Sequence, residues 1–420
     1  MDFKRISVFF FIVSYVAIGV FGGQDQTQTL TLEQCLTAAL SNNPLILSSR
    51  HQYEASLARF QQARSFSQPS LDYDSDLQPK FFNFGGQRET YFGFSQTLEF
   101  PGKRVLRGTI ARRESDEFLQ DMALLKQDIT FQVKEAFYGL LLAREQLNNA
   151  EMNRELSRDF RQKAELKFEA GDVAKVEVLR ARVEAAKADN AVRSVSNEIR
   201  LAKARLNYLL ARKKYAPLEI EGQLKRPAVA LDLDKFVARA LSFRPEIRRI
   251  GFSMDKEKLV KRQGFMSILP DFDLGVTKHW IGGEGSFWDV TVSLPIPLFF
   301  WQPKKGEIAE AEANLKSLQR EGDHLRNAIT LEVEEAYMNI LTAENQITLF
   351  EEEILKQAEE VYDMFLFSYQ EGEIGSIELI EARRTLMEAR MSYTEALYNY
   401  DIGIGALERA IGHTVEGDTE

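Results

Sequence analysis

The sequence contains one long unit twice, and this duplication limits the possible folds more than any other feature. Three pairs of similar stretches, taken from different parts of the chain, all have a spacing of about 200 residues. A constant spacing predicts two copies of one fold unit, since a solenoid would repeat roughly every 20 to 50 residues. The matched pairs are ALSNNPLI (39–46) with ALSFRPEI (240–247), ITFQVKEAFYGLL (129–141) with ITLEVEEAYMNIL (329–341), and GDVAKVEVL (171–179) with GEIGSIELI (372–380).

The boundaries of the two units follow from this alignment. We predict a first structural repeat over residues 23–215 and a second over residues 233–412. A proline-containing linker at 216–232 joins them, and a short tail at 413–420 follows the second repeat. Each repeat is too long to be one short helical motif, so each must contain several helices or strands.

The N-terminus has the pattern of an export signal. Lys4 and Arg5 precede an apolar stretch at 8–20, and small residues follow it. This order predicts a secretory signal peptide over residues 1–22. The alternative is an uncleaved membrane anchor, but the apolar stretch is shorter than the ~20 residues that a spanning helix needs. The single cysteine, Cys35, excludes an intramolecular disulfide.

Composition excludes several classes of protein. The chain is 28% charged and 44% hydrophobic, which suits neither a disordered protein nor a polytopic helical membrane protein. A net charge of -10 argues against a nucleic-acid partner, because binding to phosphates requires a basic surface. The four histidines are scattered along the chain, and the sequence has no phosphate-binding glycine loop. We therefore predict a protein that is not an enzyme and that has no cofactor and no metal site.

Each unit begins with a helix and continues with two strands. Alternation of apolar and polar residues predicts the strands at about 70–78, 90–100, 271–280 and 286–298. Aromatic residues gather near the strand ends, as they do at the two interfaces of a membrane sheet. A half-buried soluble sheet would show the same alternation, and four strands cannot close a barrel, so a lipid-facing sheet requires several copies of the chain. The residues that we assign to the membrane interface are Phe92, Phe94, Trp280 and Trp288.

The second half of each unit is a very long helical hairpin. The hairpins are predicted at 103–211 and 304–410, and the outgoing helix of each could extend about 100 Å. Narrow apolar stripes along these helices are typical of coiled-coil packing. Gly171 and Gly372 stand where the chain reverses, because glycine accepts the left-handed backbone that such a reversal needs.

On these features the chain resembles the TolC-like family of outer membrane efflux proteins. The resemblance rests on the duplicated architecture, the paired hairpin tips, and FSQTLEFPGKR at 94–104, which leads from the second strand into the long helix. LEFPGKR is especially similar to the heavy-metal efflux branch of the CzcC and CusC type. The resemblance implies a mainly α protein with a small transmembrane β part. In this family three copies form a twelve-stranded β-barrel in the outer membrane and a long α-helical barrel in the periplasm.

The resemblance further implies passive conduction of heavy-metal cations. The implied partners are outer membrane lipid, two further copies of the chain, a periplasmic adaptor and an inner membrane pump of the RND type. Family members constrict the periplasmic end with a ring of carboxylates, and the matching residues are Glu378 and Glu381. The first repeat has Glu177 and Arg180 at the equivalent places, so its ring would be mixed in charge. The residues implied to contact the adaptor are Gly171, Asp172, Val173, Gly372, Glu373 and Ile374.

Several alternatives stay open on the sequence. Glu378 and Glu381 are either part of a constriction or simply solvated or paired with Arg383 and Arg384. The tip glycines have a role in helix reversal whether or not they contact an adaptor. The substrate is either a metal ion or a drug or other small molecule, because the sequence has no Met or His cluster. The alternative function is that of a soluble periplasmic coiled-coil scaffold or adaptor, with the strands packed in a small sandwich.

Overall fold

The computed structural model describes residues 29–76, 89–213, 215–227, 231–282, 284–296, 298 and 301–414. The predicted signal peptide lies outside the described residues, as do residues 415–420 and parts of the predicted linker and strands. The described chain is mainly helical, and its helices and strands follow the duplication in the sequence. No helix in these ranges is both long and apolar enough to cross a bilayer.

Each repeat begins with two helices that meet at a proline. Asn43 and Arg244 precede the prolines and are extended, with φ of -63° and -60°, because proline disfavours helical backbone in the residue before it. A proline at the first helical position costs no hydrogen bond, so each one starts a new helix. The helices are α1 (Leu32–Asn42) and α2 (Pro44–Ala63) in the first repeat, and α5 (Leu233–Phe243) and α6 (Pro245–Met266) in the second.

The two predicted hairpins form one antiparallel sheet. Its strands are β2 (Ser70–Asp76), β3 (Glu89–Leu98), β5 (Phe272–Ile281) and β6 (Gly285–Ser293), in the order β2–β3–β5–β6. β6 ends before the predicted residue 298, because Pro295 has no N–H for a strand ladder. Two short parallel strands, β1 (Thr29–Leu30) and β4 (Glu219–Ile220), connect the start of the first repeat to the predicted linker.

The two faces of the four-stranded sheet differ in charge. Residues directly opposite each other on neighbouring strands share a face, and successive residues alternate between faces. The face that contains Phe92, Lys278 and Trp288 is mainly apolar. The carboxylates on the described residues of these four strands all lie on the other face; they are Asp72, Asp74, Asp76, Glu89, Asp273 and Asp289.

Two long helical hairpins extend away from the sheet. In the second hairpin a π-helical turn at Phe350–Ile354 interrupts the outgoing helix, which the sequence predicted to be continuous. That turn contains neither proline nor glycine, so no residue type in the sequence predicted it. The first hairpin consists of α3 (Lys103–Glu169) and α4 (Lys175–Leu209), and the second of α7 (Trp301–Leu349), α8 (Leu355–Glu371) and α9 (Ser376–Ile411).

Neighbouring elements form a row at three levels along the molecule, which are the sheet, the near half of the helical region and the far half, and each row runs from the first repeat to the second. The sheet has β2 and β6 as its edges. In the half of the helical region nearer the sheet, neighbouring helices follow the order α2, α3, α6, α7. In the far half the order is α4, α3, α9, and then α7 continued by α8. The first repeat therefore provides one edge at each level, and the second repeat provides the other.

Each repeat has its own apolar core between its long helix and the shorter helices. In the first repeat α3 packs against α1 and α4, and in the second α7 packs against α5 and α9. The same sequence positions are buried in both, which explains why the apolar stripe is duplicated. The matched buried residues include Ile129 and Ile329, Val133 and Val333, Ala136 and Ala336, and Leu140 and Ile340.

Candidate functional site

The hairpin tips at the far end from the sheet have the same backbone geometry in both repeats. Gly171 and Gly372 have φ of 87° and 80°, the left-handed region that favours glycine. The N–H of Asp172 donates to the carbonyl of Lys167 at 2.9 Å, and the N–H of Glu373 donates to Ser368 at 2.9 Å. This six-to-one bond closes the last helical turn in the manner of a Schellman motif. The sequence repeat at the tips is thus a repeated helix stop.

Four of the six predicted adaptor-contact residues are exposed. These are the two tip glycines with Asp172 and Glu373, and a Cβ added at either glycine would meet nothing within 4 Å. Val173 and Ile374 are only half-buried. Ile374 packs against a small core formed where the two hairpins meet, which includes Phe160 and Tyr369. Ile374 therefore also contributes to packing between the two hairpins.

Both predicted constriction carboxylates lie at the start of α9 and are exposed. Glu381 forms an ion pair with Arg384 one turn later. No cation among the described residues lies within 4 Å of the Glu378 carboxylate, and Glu378 Oε2 lies close to the backbone of Gly375. Arg383 does not pair with either carboxylate. Of the two carboxylates, only Glu381 is therefore paired with an arginine.

Arg383 instead joins the two repeats. Only 8% of its side chain is exposed, and its guanidinium donates to Ser157 Oγ at 2.7 Å and approaches Glu184 at 3.4 Å. Ser157 lies on α3 and Glu184 on α4, whereas Arg383 lies on α9. Burial lowers the pKa of Arg383, and the Glu184 carboxylate opposes that effect. Sequence analysis did not identify this contact, because nothing in a single sequence shows which residues meet across a 200-residue spacing.

Of the equivalent positions in the first repeat, Glu177 is partly buried and Arg180 is exposed. Glu177 pairs with Arg180 at 3.3 Å, while its Oε2 atom is buried without a hydrogen-bond partner in the described chain. The Tyr369 hydroxyl is buried and unpartnered in the same way. Burial raises the pKa of Tyr369, and the negative charge of Glu177 raises it further. Lys167 Nζ donates to the backbone carbonyl of Tyr369 at 2.9 Å, so the boundary between the tips contains a hydrogen bond as well as these two unpartnered polar atoms.

The predicted interface aromatics lie on one face of the sheet. Phe92, Phe94, Trp280 and Trp288 all belong to the mainly apolar face, and each is at least 39% exposed in the single chain. Lys278 Nζ lies over both tryptophan rings, 4.9 Å from Trp280 and 5.6 Å from Trp288. Each ring attracts the ammonium group through its electron-rich face, and tryptophan is enriched at membrane–water interfaces.

The described residues contain no group of three or more side chains that could hold a metal ion. His279 approaches Glu89 at 3.6 Å and Asp289 at 3.8 Å. These contacts involve opposite ring nitrogens, so one ion could not bind all three side chains.

Solved structures of outer membrane channels have the same fold. The chain superposes on CusC with a TM-score of 0.78 at 15% identity, covering 91% of this chain and 92% of that one. It superposes on the outer membrane protein VceC of Vibrio cholerae with a TM-score of 0.77 at 16% identity, covering 92% and 97%. The chain therefore has the fold of these outer membrane proteins.

A family model identifies the chain more closely. The model for "Outer membrane efflux protein" matches residues 35–212 and 268–413, and the chain belongs to this family. The chain is also 23% identical over 395 residues to the cobalt-zinc-cadmium resistance protein CzcC of Cupriavidus metallidurans, which covers 91% of this chain and 90% of that protein. The predicted family, mainly α fold and outer membrane location with a large periplasmic helical part are therefore confirmed. The alternative of a soluble scaffold is not favoured, and none of the names of these similar proteins denotes an enzyme.

Proposed function

We propose that three copies of this chain form the outer membrane channel of a tripartite efflux system. The channel conducts substrate passively to the exterior, and an inner membrane pump of the RND type supplies the energy through a periplasmic adaptor. The observation that most supports this proposal is the repeated edge order, in which one repeat lies on each side of the chain at all three levels.

The open sheet is the first reason for three copies. β2 and β6 each have a neighbour on one side only within the chain. In lipid an open strand edge leaves backbone N–H and C=O groups without partners, which costs several kcal/mol per group. Edge-to-edge joining of three copies satisfies these groups and gives twelve strands, with the mainly apolar face toward lipid and the carboxylate face toward the lumen.

The helical edges support the same assembly. α4 and the α7–α8 helix, the two outer helices of the far half, each have a stripe of exposed apolar side chains. Within each stripe, neighbouring members of a group are three, four or seven residues apart, as in a coiled-coil seam, and longer gaps separate the groups. Contact between α4 of one copy and α7–α8 of the next would bury both stripes. The exposed residues are Val176, Leu179, Val183, Leu201 and Tyr208 on α4, and Leu331, Met338, Leu349, Val361, Met364 and Phe367 on α7 and α8.

The tips suit contact with an adaptor. Gly171, Asp172, Gly372 and Glu373 are exposed at the end farthest from the sheet, in two turns of the same geometry. An adaptor that binds one tip would find the same backbone shape at the other, so six similar binding positions would surround the entrance of a trimer. The adaptor contact is therefore proposed for these four exposed residues, and Val173 and Ile374 lie beneath them.

The start of α9 suits a charged constriction. Glu378 and Glu381 are exposed on one helix face, and three copies would place six carboxylates around the axis. Such a ring attracts cations and repels anions. The relative CzcC is named for resistance to cobalt, zinc and cadmium, which together with these carboxylates supports heavy-metal cations as the substrate.

Two experiments test this function. Membrane fractionation of the exported protein should recover it with the outer membrane as a trimer, and recovery as a soluble monomer without detergent would overturn the proposal. A deletion strain should become more sensitive to cobalt, zinc or cadmium. Unchanged tolerance to these metals and to copper and silver would overturn the choice of substrate while leaving the channel intact.

A further inference from the structure

We propose that each chain has one binding site for a phospholipid of the periplasmic leaflet, at the boundary between the sheet and the helices. Arg104 binds the phosphate of the headgroup, and Phe66, Leu98 and Val105 contact the adjoining part of an acyl chain. The inference rests on the proposed function, because it requires the apolar face of the sheet to lie in lipid.

Arg104 lies at the boundary between the sheet and the helices. β3 ends at Leu98, and α3 begins at Lys103, so Arg104 lies within the first turn beyond the sheet. Leu98 belongs to the same mainly apolar face as Phe94, because their positions on the strand differ by four, an even number. Arg104 therefore lies where the lipid-facing surface ends and the water-exposed helices begin, at the depth of the phosphate groups.

The positive charge of Arg104 differs from those of its basic neighbours in having no carboxylate partner among the described residues. Three cations follow one another near the start of α3, and two of them are neutralised within the chain. Lys103 donates to Asp271 at 2.8 Å, and Arg107 donates to Glu99 at 2.6 Å. Arg104 has no carboxylate within 4 Å among the described residues, and its guanidinium carbon lies 3.7 Å from the ring centre of Phe66. The stacked ring fixes the guanidinium plane and leaves its N–H groups available to an anion.

Exposed apolar side chains lie around Arg104. Phe66 is 72% exposed, Val105 67% and Leu98 39%, and together with Arg104 they line a notch of about 130 Å³. Glu99 also lines this notch, and its carboxylate is paired with Arg107. A free phosphate would gain nothing from these side chains, and a purely apolar partner would gain nothing from the guanidinium. A phosphate with an acyl chain attached uses both, which is the arrangement found at the headgroup boundary.

The second repeat supplies an internal comparison. Counting back along the two uninterrupted helices from the matched pair Ile129 and Ile329, Lys304 occupies the position equivalent to Arg104, so a positive charge is retained there in the sequence. On the same count Lys305 stands in place of Val105, and counting from the matched prolines Pro44 and Pro245, Ser267 stands in place of Phe66. The second repeat therefore lacks both the stacked ring and the neighbouring apolar side chain. Each chain accordingly has one site, and a trimer has three.

Native mass spectrometry of the purified full-length protein tests the proposal. The protein is titrated with dioleoylphosphatidylglycerol, with dioleoylglycerol, which lacks the phosphate, and with inorganic phosphate. The wild-type trimer should retain phosphatidylglycerol about fivefold more tightly than the diacylglycerol, the factor expected for one cation near a membrane surface. Arg104→Gln should remove this difference, and Phe66→Ser should weaken lipid binding as well. Arg320→Gln, which removes the same charge from an exposed position on α7, should behave as wild type.

Several results would overturn the inference. Equal retention by wild type and Arg104→Gln would show that Arg104 does not bind the headgroup, and equal weakening by Arg320→Gln would show a diffuse charge effect. Competition by inorganic phosphate at equal concentration would show an anion site without a lipid. Loss of the trimer in Arg104→Gln would assign the notch to contact between copies. A soluble wild-type monomer would overturn the proposed function as well, whereas a trimer with lipid binding independent of Arg104 would overturn this inference alone.

Discussion

The guanidinium of Arg383, on the returning helix of the second repeat, donates a hydrogen bond to the hydroxyl of Ser157, on the outgoing helix of the first, at 2.7 Å. Arg383→Met keeps the apolar stem but removes this bond. Ser157 still donates to the carbonyl of Asn153 and Glu184 still pairs with Lys187, so no partner is left isolated. We expect a loss of about 1 to 3 kcal/mol in local stability, measured as faster amide hydrogen exchange at 155–160 and 379–386.

Arg384→Met is the matched control, because 62% of the Arg384 side chain is exposed. Its ion pair with Glu381 is of the surface kind that contributes less than about 1 kcal/mol. Equal acceleration of exchange in both variants would contradict a specific role for Arg383 in joining the two repeats.

Asp401 predicts a pH dependence of stability. It is 7% exposed on α9, and burial raises its pKa to about 7, although the backbone N–H of Lys225 donates to it at 3.4 Å. Because the folded pKa lies above the ordinary value of 3.8, the folded state binds more protons than the unfolded state between these values. Stability should therefore fall as pH rises from about 4 to about 7.

Asp401→Asn should remove this part of the pH dependence. The variant should gain on the order of 2 to 4 kcal/mol over wild type between pH 4 and pH 8, measured by denaturation at the two pH values. Asp234→Asn, at an exposed position, should leave the pH profile unchanged. Parallel profiles of wild type and Asp401→Asn would contradict the assignment.

The constriction predicts two changes of opposite sign in ion selectivity. Glu378→Gln should lower the cation-to-anion permeability ratio about two- to fivefold in 0.1 M salt, because it removes three negative charges from the axis of a trimer. Arg384→Gln should raise the ratio, because it frees Glu381 from its cation. Reversal potentials across a salt gradient in planar bilayers measure both, with Glu321→Gln on α7 as the control. A ratio that stays the same in all three variants would place α9 away from the conducting path.

The tip glycines predict separable effects on stability and on partner binding. Gly171→Ala and Gly372→Ala should each cost about 1 kcal/mol, because a β-carbon disfavours the left-handed backbone. Neither methyl group meets an atom of this chain within 4 Å. Gly251→Ala, in the interior of α6 and also without a neighbour, should instead stabilise by about 1 kcal/mol. Thermal denaturation of the purified protein measures all three.

If the tips contact the adaptor, the same alanines should weaken binding to the cognate adaptor by more than the loss of stability explains. Asp172→Lys and Glu373→Lys should weaken it further while keeping the backbone hydrogen bonds of the helix stops, although Glu373→Lys also removes the bond that Ser368 Oγ donates to Glu373. Adaptor binding equal to wild type in all four variants, measured by titration of the purified components, would contradict the proposed contact.

Much of the fold could be predicted because its signals are local or duplicated. Pro44 and Pro245 mark helix starts, Gly171 and Gly372 mark helix stops, and period-two alternation marks the strands. The exposure of Glu378 also agrees with its place in the first turn after a helix stop.

The rest depends on contacts between distant parts of the chain. Nothing in the order of residues shows that Arg383 turns to the other hairpin while its neighbour Arg384 faces solvent with Glu381. Likewise Lys103 and Arg104 are adjacent basic residues, and only the folded chain shows that Asp271 neutralises the first of them. The burial of Asp401 depends on where the linker crosses α9, which periodicity does not reveal.

The central claim is that three chains close one ring by joining the edges of the first repeat to those of the second. The number of chains per particle tests this most directly, measured by mass spectrometry or mass photometry of the full-length protein in lipid nanodiscs. We expect three chains in each particle. A single chain in each lipid-embedded particle would contradict it.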